Sequence, residues 1–360
     1  MESQDNPVGE FVFVACHPGV TGICRTEMKQ LRPDWVPAFS RPGFLTYRLP
    51  QPVSGRLDLP ATFARTFGFS LGPVGSDDPD TVLDAVKMHL ENGAPFDRIH
   101  LWNRDWSPGS QTSDPDASGR IATALRQRFP DRFDWSQNAR AEERILDLIR
   151  IDPGRWMLGW HRATSIAQRW PGGVPDLEGP EDMISRAWLK TAEALWWSGI
   201  RPVQGETCVE IGSAPGGSCQ RLLESGAGVI AVDPADLDPA LADHPRLTHL
   251  KKRGRDLAHR QISGAQWLLV DTNIAPASAL QMTGTLVTGQ RTGFRGLLVT
   301  LKMLDEDLAT NLAACRDQVR SWGFRFVKTR HLAWGRREIC LAALRQKSVR
   351  RFRRKPATTK

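Results

Sequence analysis

Val209 to Pro234 reads V-E-I-G-S-A-P-G-G-S-C-Q-R-L-L-E-S-G-A-G-V-I-A-V-D-P, which parses as strand, glycine loop, helix and strand. Thr207 to Ile211 is a short β-favouring run, and Gly212 to Gly217 offers little but backbone. Ser218 to Glu224 is a helix opened by a serine, and Val229 to Val232 is a second strand that stops at Asp233. Glycines let the main chain approach a ligand, a helix N-terminus presents free N–H groups, and a carboxylate about 20 residues on can accept ribose hydroxyls. The expected ligand carries a nucleoside. Gly212, Gly216 and Gly217 fit neither G-x-G-x-x-G nor a P-loop ending in G-K-[ST], and no Lys or Arg stands in the loop to meet a phosphate. A nucleoside cofactor without phosphate fits better.

Working outward, strands and helices alternate. A helix is expected over Met183 to Ser198 and strands at 207–211, 229–232, 247–250, 267–270 and 296–301. A helix over Leu308 to Trp322 and a closing pair at 324–329 and 339–344 follow. This order argues for an α/β, Rossmann-like, seven-stranded domain whose largely parallel sheet is covered on both faces. Ligands of such sheets sit beyond the carboxyl ends of the strands. Charged residues stand at those ends: Asp233 after the second strand, Asp271 after the fourth and Lys302 after the fifth, with Asp256 in G-R-D-L after the third. In S-R-A-W-L-K, Ile184, Trp188, Ala192 and Leu195 mark the buried face of a helix, and Arg186 and Lys190 lie i,i+4 on another flank.

E-I-G-S-A-P-G-G resembles the first motif of S-adenosylmethionine-dependent methyltransferases, in particular the FtsJ-like group with its D-L-G-A-x-P-G-G signature, Glu210 standing in place of Asp. S-R-A-W-L-K, D-T-N-I-A-P, T-L-K and R-R-E-I-C are similar, in order and context, to the motifs that carry the Lys-Asp-Lys-Glu tetrad of FtsJ-like ribose 2'-O-methyltransferases. The resemblance covers roughly Met183 to Leu344. It departs from the group at Glu210 and at Thr272, where Met is common, and the loop between the fourth and fifth strands does not align closely.

This resemblance implies S-adenosyl-L-methionine as cofactor, held by Ser185, Gly212, Ser213, Ala214, Pro215, Gly216, Gly217, Asp233, Asp256 and Asp271, with Asp256 at the adenine amino group. It implies catalysis by Lys190, Asp271, Lys302 and Glu338, without metal. Lys302 is the expected base, Lys190 and Glu338 hold and tune it, and Asp271 orients the lysine and the methionine end of the cofactor. A ribose hydroxyl must lose its proton as the carbon–oxygen bond forms, and a lysine can take it only if its pKa is lowered, which a second ammonium group nearby can do.

Composition bounds the rest. The 360 residues exceed one usual domain and 40% are apolar, enough for two or three cores. The start, Met-Glu-Ser-Gln-Asp, lacks a basic and apolar leader, and no apolar run is long enough to span a bilayer. A cytoplasmic protein, with no membrane partner, is expected. Cysteines 16, 24, 208, 219, 315 and 340 show no C-x-x-C pair, so reduced thiols and no structural zinc are expected. The net charge of +8 is concentrated in Lys347 to Lys360, which carries seven positive charges and no acid. Such a run reads as a disordered basic tail with nonspecific phosphate affinity.

Four regions are expected. Residues 1–60 open β-α-β-β and suggest a small ferredoxin-like unit, broken by the Pro-rich Leu49 to Pro60. Residues 61–168 hold helices at Thr81 to Glu91 and Gly119 to Arg128, a strand at Arg98 to Trp102, and a hairpin of Ile145–Ile151 with Trp156–His161 around Asp152-Pro153-Gly154. Their layout resembles the α+β THUMP module of RNA-modifying enzymes. Residues 169–346 are the catalytic domain and 347–360 the tail. An FtsJ-like domain behind a THUMP-like region is similar to bacterial enzymes that methylate a cytidine ribose of 23S ribosomal RNA. That implies RNA, as 23S rRNA or a precursor particle of the large subunit, for a monomeric enzyme.

Two other functions are weighed. A base-directed RNA methyltransferase would show [ND]-P-P-[YF] after the fourth strand, where this chain has D-T-N-I, or a Pro-Cys nucleophile, which is absent. Cys208 and Cys219 flank the glycine loop as packing residues. An RNA-binding or ribosome-assembly factor that keeps the fold would fail to bind the cofactor.

Overall fold

In a computed structural model the chain divides into two compact units. The structure describes residues 9–53, 55–91, 96–105, 115–135, 138–289, 293–303 and 307–346. The basic run at 347–360 lies outside the described residues.

The first unit comprises Met1–Pro180 together with Met303–Thr310 and Arg330–Ile339. Its elements are β1 (Gly9–Ala15), α1 (Thr21–Leu31), β2 (Val36–Arg41), β3 (Phe44–Val53), β4 (Thr66–Val74), α2 (Pro79–Glu91), β5 (Arg98–Asn103), α3 (Pro115–Arg128), β6 (Arg144–Asp152) and β7 (Arg155–Arg162). The strands form one sheet in the order β2-β3-β1-β4-β7-β6-β5. All the neighbouring pairs are antiparallel except β5 with β6. The boundary expected after residue 60 is therefore not a domain boundary. β4 pairs with β1 on one side and β7 on the other, so the 1–60 and 61–168 regions share a sheet.

β4 is the strand that sequence reading passes over. T-F-G-F-S-L-G-P-V carries two glycines and a proline, residues that weaken a strand prediction. Packing demands the first glycine: a Cβ on Gly68 would lie 2.4 Å from the Trp160 carbonyl oxygen and 2.8 Å from the Phe13 ring. Gly72, at φ +118°, sits where the pairing with β7 shifts register. Below the sheet, Phe13, Phe44, Trp102, Ile149, Ile151 and Met157 form a continuous apolar cluster.

The second unit comprises Glu181–Lys302, Asn311–Thr329 and Cys340–Lys360. Its elements are α4 (Ala187–Ser198), β8 (Thr207–Ile211), α5 (Gly217–Glu224), β9 (Gly228–Val232), β10 (Leu247–Leu250), β11 (Trp267–Val270), α6 (Pro276–Thr288), β12 (Gly296–Lys302), α7 (Asp307–Ser321), β13 (Phe326–Arg330) and β14 (Glu338–Leu344). The sheet runs β10-β9-β8-β11-β12-β14-β13, with β10 through β12 parallel. The chain winds outward from β8 to β10 and then returns to β11 on the other side. The crevice between β8 and β11 is thus the switch point at which such sheets bind ligands.

Three local readings change. The helix expected from Met183 begins at Ala187, because the preceding residues bond elsewhere: Ile184 N–H donates to Gln220 Oε1 at 3.0 Å and Ala187 N–H to Ser185 Oγ at 3.3 Å. Trp188, expected in the buried face, is half-exposed and donates through Nε1 to Glu224 Oε1 at 2.8 Å, whereas its neighbour Leu189 is buried. The helix after the glycine loop is opened by Gly216 at φ +118°, with Ser218 already inside it and bonded to Thr191 Oγ1 at 2.8 Å. α6 was not anticipated. Its Gly284 lowers helix propensity, yet a Cβ there would lie 2.9 Å from the Trp322 ring.

Candidate active site

Gly212 closes the β8 end of the crevice. Its φ of +83° lies in the left-handed region, and a Cβ would come within 2.1 Å of the Asp271 carbonyl oxygen. Its N–H donates to the Val232 carbonyl at 3.0 Å, and Asp271 N–H donates to the Ile211 carbonyl at 2.9 Å. The ends of β8, β9 and β11 are thereby brought to one rim. Asp233, leaving β9, folds its carboxylate back onto this rim, accepting from Ala214 N–H at 3.2 Å and Ala235 N–H at 2.9 Å.

Beyond the rim opens a cavity of about 920 Å³. Its walls are Ile211, Gly212 and Ala214 from β8 and its loop, Val232 to Pro234, Arg253 to Arg255 with Leu257, Asp271 to Ile274, and Ser278, Gln281, Met282, Thr285 and Leu286 of α6. The size and the mixture of apolar wall with a few convergent polar groups suit a nucleoside-sized ligand. Two buried hydroxyl oxygens at the rim, Ser213 Oγ and Thr272 Oγ1, have no hydrogen-bond partner among the described residues. A polar ligand fits such a rim, since buried polar groups are ordinarily bonded.

Of the residues singled out for the cofactor, Gly212, Ala214, Asp233 and Asp271 stand in this wall. Ser213, Pro215, Gly216, Gly217 and Ser185 are not among the wall residues. Gly217 provides the space for Ser185, since a Cβ there would sit 2.2 Å from Ser185 Oγ. Asp256 is not brought to the wall either. It is exposed, with its carboxylate 3.9 Å from Arg255 Nε, while Gly254, Arg255 and Leu257 around it do line the cavity. The α6 residues were missed altogether. Their signal is a helical face, invisible while the segment was read without a helix.

At the far side of Asp271 the charged residues meet. Lys190, from α4, is hydrogen-bonded to Asp271 Oδ2, and Lys302, the last residue of β12, donates to Oδ1 at 3.2 Å. Two ammonium groups thus share one carboxylate. Burial alone would raise the Asp271 carboxyl, but the field and hydrogen bonds of the two lysines outweigh it and hold it below its ordinary value. Glu338 opens β14, the strand next to β12 in the sheet.

Behind the rim lies Glu210, on β8 and only 2% exposed. Burial pushes its carboxyl up to about 7, against the pull of hydrogen bonds from Cys219 and Ser218, with the Asp271 charge raising it and Lys190 lowering it. Cys219 Sγ lies 3.0 Å from Glu210 Oε2, and burial raises that thiol too, so it serves as a donor. Cys208 and Cys219 are both fully buried. No group of three or more His, Cys, Asp or Glu that could hold a metal occurs among the described residues. No helix there is long and apolar enough to cross a membrane.

Comparison with known proteins places this geometry. A model of the FtsJ-like methyltransferase family matches residues 183–285. The ribosomal RNA large subunit methyltransferase M of Halorhodospira halophila is 34% identical over 186 residues, covering 51% of this chain and 53% of that protein. Its counterpart in Alkalilimnicola ehrlichii is 30% identical over 264 residues, covering 70% of this chain and 67% of that protein. The chain therefore spans between about half and two thirds of the length of these curated relatives. An Aeropyrum pernix fibrillarin solved with S-adenosyl-L-methionine is 14% identical, covering 60% of this chain and 86% of that one at a TM-score of 0.36, too low to bear on function. On the match to the Alkalilimnicola protein, this chain belongs to the FtsJ-like methyltransferases, in the family of ribosomal RNA large subunit methyltransferase M.

Proposed function

We propose that the protein is an S-adenosylmethionine-dependent RNA methyltransferase that transfers a methyl group to a ribose 2'-hydroxyl, its substrate a cytidine of 23S ribosomal RNA or of a precursor of the large subunit. The observation that carries this reading is the pairing of Lys190 and Lys302 on the two oxygens of Asp271, at the strand ends beside the glycine-loop cavity. Family membership supports the reaction class, and the relatives are named for ribosomal RNA of the large subunit.

When bound, S-adenosylmethionine supplies an electrophilic methyl group on a sulfonium. Gly212 and Ala214 hold the backbone surface for it, and Asp233 accepts the ribose hydroxyls of its nucleoside. Asp271 holds the two lysines together on one carboxylate and directs them. Lys302 would accept the proton of the attacking 2'-hydroxyl as the oxygen–carbon bond forms and the sulfur–methyl bond of the sulfonium breaks, the neutral thioether leaving with its electron pair, help typically worth about 10²–10⁴ in rate. Lys190 and Glu338 fix Lys302 in place. The first unit, with its THUMP-like layout, is the part that recognises RNA structure.

Asp233→Ala removes the acceptor of two backbone N–H groups and the ribose carboxylate. Calorimetric titration with S-adenosylmethionine is expected to show affinity lowered at least about tenfold, roughly the loss of one charged hydrogen bond, with an unchanged melting cooperativity. Wild-type affinity in this variant would sink the cofactor site. The substrate is tested by mapping ribose methylation across ribosomal RNA from cells with and without the gene. One 2'-O-methylcytidine of the large subunit is expected to vanish, and an unchanged map would reject the substrate.

A further inference from the structure

Between β13 and β14 runs His331-Leu332-Ala333-Trp334-Gly335-Arg336-Arg337. Its backbone is tied at several points within the first unit. His331 N–H donates to the Thr62 carbonyl at 2.8 Å, and Gly335 N–H to the Leu332 carbonyl at 3.1 Å. His331, 1% exposed, contacts the Arg336 carbonyl through Nε2 at 2.8 Å. Burial holds this imidazole down to about 4, so it is neutral, and its Nε2–H must be the donor because a carbonyl only accepts. The Arg337 carbonyl in turn accepts Met303 N–H at 2.8 Å.

Arg336 and Arg337 are both exposed, and neither guanidinium has a carboxylate partner among the described residues. Most other arginines of the first unit with assigned roles are neutralised or spent on carbonyls. Arg98 is bonded to Asp134 and Glu143, Arg150 to Asp77, and Arg330 to the carbonyls of Arg65 and Gly173. The turn's place in the chain is also particular. Met303, which holds Arg337, follows Lys302 directly, and Glu338 follows Arg337.

We propose that Arg336 and Arg337 form a phosphate clamp for the backbone of the substrate RNA strand. This rests on the ribose-methylation reading above. A guanidinium offers paired N–H donors matched to phosphate oxygens, and a turn already fixed by His331 and Met303 presents two of them with little ordering left to do on binding. Their positive charge adds attraction that is sequence-independent and salt-dependent.

The test uses the full chain, S-adenosylmethionine and total ribosomal RNA from cells lacking the gene. For Arg336→Gln/Arg337→Gln, cofactor affinity is expected to stay at the wild-type value. Half-saturation for RNA should rise about tenfold at ~150 mM salt, and the slope of log affinity against log salt should shrink by about 1.4, the release expected from two single-strand phosphate contacts. The single-turnover rate at saturating RNA should remain within about threefold of wild type. Arg336→Lys/Arg337→Lys should recover most of the slope but not all of the affinity, since it keeps charge and loses the paired donors. Unchanged half-saturation and slope in the glutamine variant, with wild-type methylation intact, would overturn the clamp alone. A wild-type protein that binds cofactor yet methylates no RNA ribose would overturn the underlying reading and the clamp with it.

Discussion

Lys302→Ala lowers the single-turnover rate of methyl transfer by at least about 10²-fold while leaving the affinity for S-adenosylmethionine nearly unchanged. That is the result expected if this lysine takes the proton of the ribose hydroxyl. The structure gives the reason for the split. Lys302 is not in the cavity wall and reaches the site through Asp271 Oδ1, at 3.2 Å. Lys302→Arg keeps the positive charge and a donor for Asp271, but a guanidinium stays protonated at any workable pH and cannot accept the proton. It should be as slow as the alanine variant. Rapid-quench measurements with saturating cofactor and RNA decide the matter. An arginine variant at close to the wild-type rate would exclude Lys302 as base and leave the Lys190–Asp271–Lys302 group a positioning device.

The second large effect concerns stability. In the folded chain Glu210 keeps its proton up to about pH 7, whereas a free glutamate releases it near ~4.3. Between those values the folded state binds more protons than the unfolded one, so this carboxyl contributes stability that is fully present at low pH and is lost as pH rises through about 7. By pH 8 the loss is about 4 kcal/mol, of which about 3 kcal/mol falls between pH 5 and pH 8, taking about 1.4 kcal/mol per unit of displacement. Glu210→Gln keeps a carbonyl oxygen to accept from Cys219 and cannot ionise. Denaturant unfolding at pH 5, 6, 7 and 8 should find the variant gaining on wild type as pH rises, by up to about 3 kcal/mol at the top of that range. Parallel profiles would mean that Glu210 is ionised in the native protein and that its burial is relieved in some other way.

The stretch around the glycine loop was legible because its constraints are local. Gly212 must turn at positive φ against the Asp271 carbonyl, and the strand before it and the acid after it follow within a few residues. The gathering of charged residues at the strand ends was legible for a similar reason: Asp233, Asp271 and Lys302 each end a strand or directly follow one, and a parallel sheet brings such ends together. What escaped depended on partners distant in sequence. Gly68 reads as a strand breaker until Phe13 and Trp160 are seen to need its missing side chain, and with β4 hidden the first unit fell into two. Gly284 concealed α6 in the same manner, and with it Gln281 and Met282 of the cavity wall. Asp256 stands differently. Its position after the third strand was right in order, but a tight turn over Gly254–Asp256 presents its neighbours to the cavity.

The first unit is built from a chain that departs and returns: besides Met1–Pro180 it gathers Met303–Thr310 and Arg330–Ile339. Synthesis on the ribosome proceeds from the N-terminus at roughly 5–20 residues per second. The β1 to β7 sheet is thus exposed to the cell on the order of ten seconds before its last two segments have been made. During that interval the Thr62 carbonyl lacks His331 and the carbonyls of Arg65 and Gly173 lack Arg330. The part that is translated first is among the last to be completed, and the segments that complete it begin directly after Lys302 and end one residue past Glu338. Maturation of the N-terminal sheet is thereby tied to translation having passed both Lys302 and Glu338.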